Sequence, residues 1–497
     1  MVSIRKNIIS IFTGWLIPVV VFFLLIPYLV NNIGEEAFGI FSLITVVSGY
    51  VSFLNFGFGQ AITKHVATYH AQNLHTELNK TLFVSLLFFL LIGFIGCLFI
   101  YLLSEYAVNQ VFNISLVLRE SAIISFKVAS LGFLLNMLIE CLRGLSIGLN
   151  NFFIPNLCKS IRIILSSLLM VYAVFQYGSL HAIVIGNIIG QFIAFLINIF
   201  LTLRLFRPLS ISFDLDIFKK MIRYSKYVFG AKVLNFISSE TGIIILGIVG
   251  SAIEITYFVI PKRLISRMLE VFSRYFEMLF PISSYLKEKN QNEKLINIYI
   301  DLVKFQILIT IPIIIIIIFQ GNWMLSYWIN NDFADKSFII LIILCLNGLI
   351  SLSTNLPGYY AMGLGYPEYT TRFSFYRFLI IVICIYPLTK FYGSLGVALT
   401  LLISQIQAIY FIFYTPKNIL KINIFSKVKL DIFKYTFISI CFFIIYKYLG
   451  SHINNIEGIL YQLSISILLI GLYLLLVLSL KIFTFESLMV KLRNAKQ

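Results

Sequence analysis

Charge is what this 497-residue chain has least of: 12% of its residues are Asp, Glu, Lys or Arg, and only 21 are acidic. Soluble domains carry about twice that share, so the composition excludes a water-exposed globular fold. Polar stretches long enough to fold by themselves are also missing. Short polar breaks separate apolar runs of about 20 residues, the length that crosses a bilayer. Paired cysteines are absent too: Cys97, Cys141, Cys158, Cys345, Cys384 and Cys441 mostly fall inside or at the ends of apolar runs, without disulfide or zinc spacing. The chain has no G-x-S-x-G, no Walker loop and no paired carboxylates on a loop, and the longest outside loops, near 104–119 and 321–336, are too short for a catalytic domain. We therefore expect no enzyme and no cofactor.

What is present is hydrocarbon. Hydrophobic residues make up 60% of the chain and mean hydropathy is +0.95. The run from Ile8 to Val30 follows Arg5 and Lys6; it is too long for a signal-peptide core and reads as a first retained helix. Apolar runs predict fourteen helices near 8–30, 38–62, 81–103, 120–142, 155–177, 181–203, 227–249, 256–281, 302–320, 337–362, 373–390, 393–414, 432–449 and 459–480. The net charge of +17 does not point to nucleic acid, because the basic residues cluster in alternate loops. Twenty-four Lys and Arg fall on the side of the N-terminus, against Arg119, Lys336, Lys390 and Lys447 on the other. That bias predicts both termini in the cytoplasm.

Sliding the chain by 215 residues places Gly148 on Gly363, Arg162 on Arg377, and Tyr177-Gly178-Ser179-Leu180 on Tyr392-Gly393-Ser394-Leu395. Helices 4 to 6 thereby fall on helices 10 to 12. An offset of six helices relates two like-oriented halves by a pseudo-two-fold along the membrane normal. The predicted fold is an all-α polytopic membrane protein: an N-terminal six-helix lobe over 1–205, a cytoplasmic linker over 206–226, a second six-helix lobe over 227–415, and accessory helices 13 and 14 with a tail over 416–497.

The charges inside the apolar runs are the candidate site. Arg263, Arg267, Glu270, Arg274 and Glu277 follow one another at spacings of four, three, four and three, a single stripe of predicted helix 8. An ionised group at the bilayer centre costs about 3 kcal/mol or more, so the stripe must face other helices or water. Lys127, Arg162, Lys232 and Arg377 are further candidate substrate-binding cations, and Glu240, Glu270 and Glu277 are candidates for ion coupling or gating. Lys232, Arg263, Arg267 and Arg274 against Glu240, Glu270 and Glu277 net only +1, so mutual salt bridging is the competing reading. Helices 7 and 8, joined by a short turn at 250–254, would set Glu240 level with Arg263 and Arg267. His65, His70 and His75 repeat every five residues and share no helix face, so no metal is expected.

Asn31-Asn32-Ile33-Gly34, Phe38-Gly39, Leu54-Asn55-Phe56-Gly57-Phe58-Gly59 and Lys64-His65-Val66-Ala67 resemble the first two helices of bacterial polysaccharide-biosynthesis flippases, the O-antigen flippase group. Leu142-Arg143-Gly144-Leu145 with Gly148 to Phe152, and Ile244-Ile245-Leu246-Gly247 with Gly250 and Tyr257, extend the resemblance over helices 1 to 12. Glu240 and Thr241 stand where that group usually has Asp, and Pro261 where it has Ala. The resemblance implies an undecaprenyl-pyrophosphate-linked oligosaccharide as substrate, membrane lipid as surroundings and a polysaccharide polymerase complex as partner. An ion-coupled drug exporter of the same superfamily and a non-transporting scaffold of glycan assembly stay open.

Overall fold

The computed structural model describes residues 4–51, 57–206, 212–277 and 279–420 together with isolated positions between 426 and 437. All regular structure among the described residues is helical. The helices are α1 (Ile4–Ile33), α2 (Glu35–Val51), α3 (Phe58–Ala71), α4 (His75–Tyr106), α5 (Leu116–Gly148), α6 (Phe153–Tyr177), α7 (Leu180–Leu203), α8 (Leu215–Val249), α9 (Ala252–Glu277), α10 (Leu279–Glu288), α11 (Asn292–Trp328), α12 (Asn331–Gly363), α13 (Glu368–Ile403) and α14 (Ile406–Leu420). A single π turn extends α4 over Ala107–Val111. Among the described residues, eight helical segments are long and apolar enough to cross a membrane, which makes this a polytopic membrane protein. Predicted helix 2 falls on α2 and α3, with Gly57 at a φ of 75° before α3, and the described residues of predicted helix 8 fall on α9 and α10. Predicted helices 13 and 14 lie outside the described residues.

Contacts divide the chain into two compact units, Met1–Val259 with Ile385–Ser394, and Ile260–Cys384 with Leu395–Gln497. In the first unit α5 is central: α2, α3, α4 and α7 all pack on it, α6 packs on α7, and α1 on α6. The turn between α3 and α4 brings Phe58 onto Phe88 with ring centroids 4.0 Å apart, and Phe218 of α8 closes on the same cluster. α8 joins this unit because its first half packs on α3 and α4 and its later turns reach α2. In the second unit α12 is central, with α10, α11 and α14 against it.

Lipid is as apolar as leucine, so helices associate here by close backbone approach rather than by escape from water. The outward faces are correspondingly oily: Leu91, Phe94, Phe99 and Leu102 on α4 are all exposed. Where α6 meets α7, a β-carbon on Gly190 would lie 2.4 Å from Ser166 Cα, and one on Gly186 would lie 2.6 Å from the Leu169 carbonyl oxygen.

The repeat read from sequence is also a repeat of structure. α5 and α12 are both 33 residues long, and their ends differ by the same 215 positions. Asn150 and Gly365, two residues past those helices, both take positive φ, 57° and 82°. Gly178 and Gly393, in the shared tetrapeptide, do so at 54° and 55°. At Gly393 the long α13 breaks into the two helices predicted there. The Thr63 hydroxyl donates to the Gly144 carbonyl at 3.2 Å and the Ser284 hydroxyl to the Gly363 carbonyl at 2.8 Å, each tying a short helix to the central one.

Two outcomes follow from this packing. Gly190→Leu should force α6 from α7 and cost about 1–3 kcal/mol or more, read as a lowered melting temperature in detergent. Asp214 caps α8 and accepts from Lys80 of α4 at 3.0 Å. Hydrogen bonds from the Ile217 amide, then from Lys80, hold its carboxyl below the ordinary value of 3.8. A depressed carboxylate stabilises the fold above its unfolded pKa, and the gain disappears as pH falls through the folded one. Asp214→Ala should therefore melt earlier than the parent at pH 7, and the gap should close below about pH 3.8.

Candidate functional site

The stripe occupies α9, a helix whose apolar neighbours Leu264, Ile265, Leu269 and Phe276 are buried. Arg263 is half-buried. Arg267 donates through Nη1 to Glu270 Oε2 at 3.1 Å, one turn along the same helix, and both side chains are only partly covered. Farther along, Ser273 Oγ accepts from the Asn355 amide at 3.3 Å, and Glu277 Oε1 accepts from the Tyr359 hydroxyl at 3.3 Å. A polar face of α12 thus lies against the later part of the stripe. Gly348 permits that approach, since a β-carbon there would lie 2.7 Å from Leu269. Arg274 on α9 and Lys232 on α8 have side chains outside the described residues. Glu240, half-buried on α8, belongs to the first unit.

The remaining predicted cations sit in three different settings. Lys127 of α5 lies 4.0 Å from Glu105 of α4 and over the Tyr101 ring, so a neighbouring helix supplies its counter-charge. Arg162 of α6 donates from Nη1 to Asn136 Oδ1 of α5 at 2.8 Å, close enough to Glu140 to feel its charge. Glu140 in turn accepts from Arg143 at 2.8 Å. Arg377 of α13 has a buried Nε without a partner. No group of metal-binding side chains occurs among the described residues, and Cys97, Cys141, Cys158, Cys345 and Cys384 are free thiols.

Sequence reasoning missed a polar seam at the ends of α2, α8 and α9. The Tyr257 hydroxyl donates to Glu35 Oε2 at 2.6 Å, and the Thr256 hydroxyl donates to the Glu35 carbonyl at 2.6 Å. Asn113, past the π turn, donates its backbone amide to the Gly247 carbonyl at 2.8 Å and its side-chain amide to the Gly250 carbonyl at 3.0 Å. The Ser115 amide donates to Glu36 at 3.3 Å. Gly39 and Gly393 are both required by closeness: a β-carbon on Gly39 would overlap the Ala252 carbonyl at 1.8 Å, and one on Gly393 the Glu254 carboxylate at 2.1 Å. All these residues belong to the first unit. The available signal was Glu35-Glu36: against the expectation of no paired carboxylates on a loop, these two stand side by side in the short break between apolar runs that also holds Asn31 and Asn32.

Hydrogen bonds to a charged group contribute about 1.5–3 kcal/mol, against about 1 for neutral pairs. A double-mutant cycle of Glu35→Ala and Tyr257→Phe should accordingly return a coupling of about 1–2 kcal/mol in thermal unfolding. Strict additivity would mean that the bond does not hold the seam.

Comparison with known proteins adds three findings. A family model described as polysaccharide biosynthesis protein matches residues 4–287. A curated relative from Shigella flexneri, named as a candidate O-antigen transporter, is 22% identical over 403 residues, covering 80% of this chain and 94% of the relative. Among solved structures, the lipid II flippase MurJ in an inward closed conformation superposes with a TM-score of 0.72 at 16% identity, over 95% of this chain and 98% of that one. An inward-facing multidrug resistance MATE family transporter of the MOP superfamily gives 0.68 at 15% identity, over 81% and 95%. At such identities the structural likeness establishes the fold.

Proposed function

The chain belongs to the polysaccharide biosynthesis protein family, and from that premise we propose that it is a flippase, carrying an undecaprenyl-pyrophosphate-linked oligosaccharide, an O-antigen or capsule repeat unit, across the bacterial inner membrane. The observation that carries the reading is the half-buried cationic stripe on α9 with an amide and a phenol of α12 beside it. A glycan head group brings many hydroxyls and a diphosphate into a region where each unpaired polar group costs several kcal/mol. Fixed arginines and a wall of hydroxyls and amides offset that cost, and guanidinium binds phosphate oxygens in pairs. Arg263, Arg267 and Arg274 take the diphosphate, and the polyprenyl tail stays in lipid. The name of the Shigella flexneri relative and that of the lipid II flippase point the same way.

Alternating access of two six-helix lobes, 1–205 and 227–415, accounts for the movement, with 206–226 as a cytoplasmic linker and both termini in the cytoplasm. The protein is not an enzyme. Without a nucleotide site, the energy comes from an ion gradient or from the substrate gradient, and Glu240 and Glu270 are the carboxylates to test for coupling. Drug export is the second reading, favoured by the likeness to the multidrug transporter. Cationic drugs call for acidic cavities, however, and the intramembrane charges here are predominantly basic. A polysaccharide polymerase complex is the expected downstream partner.

The test is transport of lipid-linked oligosaccharide in vesicles holding the purified protein. Loss of one charge-assisted contact is worth about 10–100-fold, so Arg267→Glu should reduce flipping by at least about tenfold. Replacing Arg267 and Glu270 together by Gln removes the pair without changing net charge. If Arg267 serves only Glu270, the double variant should flip at the rate of Glu270→Gln alone, which isolates any coupling role of Glu270. If it binds the diphosphate, the variant should fold and still flip poorly.

A further inference from the structure

Arg162 and Arg377 occupy the same register of the repeat, yet their surroundings differ. Arg162 has an amide acceptor at Asn136 and the charge of Glu140 nearby. Advanced by 215 positions, Asn136 becomes Ser351 and Glu140 becomes Asn355. Asn355 gives its amide to Ser273 of α9, and Arg143, which shares Glu140, becomes Gly358. The second half thus keeps the arginine and loses both groups that answer it in the first. Arg377 Nε is buried with no hydrogen-bond partner among the described residues. α13 starts at Glu368, so at about 1.5 Å per residue Arg377 lies about 13 Å along the helix, within the predicted apolar span 373–390.

A guanidinium cannot shed its charge, and here its Nε–H is buried and unanswered. We propose that Arg377 is an anion subsite, and that its missing counter-charge is a phosphate oxygen of a lipid-borne diphosphate, while Arg162 is a structural strut. The assignment rests on the flippase reading and extends it: the anion is held by the second half of the repeat at a position where the first half supplies an amide acceptor. Guanidinium against phosphate forms two parallel bonds, so lysine substitutes poorly. Restoring the amide that Arg162 enjoys, by Ser351→Asn, should satisfy Arg377 internally and remove it from the ligand.

The experiment measures binding of farnesyl diphosphate to the full chain in nanodiscs, with farnesol and inorganic diphosphate as separate probes. Arg377→Gln should weaken farnesyl diphosphate binding about 10–100-fold, the worth of a charge-assisted pair, leave farnesol binding unchanged, and not lower the ligand-free melting temperature. Arg377→Lys should recover part of the affinity. Ser351→Asn should weaken binding while raising the melting temperature. Arg162→Gln should lower the melting temperature and spare affinity in the folded fraction. Inorganic diphosphate binding that is also lost in Arg377→Gln supports the subsite as a phosphate site; a loss confined to farnesol would assign the position to tail packing and overturn it. Unchanged farnesyl diphosphate affinity in Arg377→Gln overturns the subsite while the flippase reading stands. Failure of the parent protein to bind farnesyl diphosphate at all overturns the flippase reading and the subsite with it.

Discussion

The hydrocarbon of the bilayer tolerates no unanswered polar group, and the structure follows from that refusal. Backbone amides close into helices because no water is present to take them. Helices then approach through glycines rather than through buried leucines, since leaving lipid for protein yields no hydrophobic gain. The same constraint governs side chains. Arg162 finds Asn136, Lys127 finds Glu105, and Arg267 finds Glu270. A charge within the helices is therefore costly unless a neighbour compensates it.

The internal repeat makes that distinction visible. Helix ends and left-handed caps recur at matching places in the two halves. Against so regular a frame, a lost partner stands out. At the 215-residue register Ser351 and Asn355 stand where the first half has Asn136 and Glu140, while the arginine is retained. Departures from local consistency tend to gather at functional sites. One half of the repeat gives its arginine an amide acceptor, and the other leaves Arg377 Nε without one.

Shared architecture does not by itself choose between lipid flipping and drug export, because both run on the same helical frame. The choice rests on the sites. A cationic, half-buried stripe flanked by a phenol and an amide suits an anionic, hydroxyl-rich head group. The polar seam around Glu35 and Tyr257 adds a second element, a set of short bonds between loop ends that hydrocarbon-facing faces could not supply.

Sequence alone determined the class, most helix positions, the 215-residue repeat and the stripe, because each is a local or periodic property. Apolar length decides a span, and spacing of four and three decides a helix face. The family, too, was legible in Asn31 to Ala67 and Leu142 to Phe152, and residues 4–287 match its model. Only tertiary structure decided which cations already have partners. Arg162 and Arg377 are identical in register, and nothing in a linear pattern tells that one meets an amide and the other does not. The seam was equally hidden, since Glu35 and Tyr257 are 222 residues apart and meet only because Gly39 lets Ala252 come within backbone contact. Hydrogen-bond satisfaction depends on which helices become neighbours, and that is settled by packing across the whole chain.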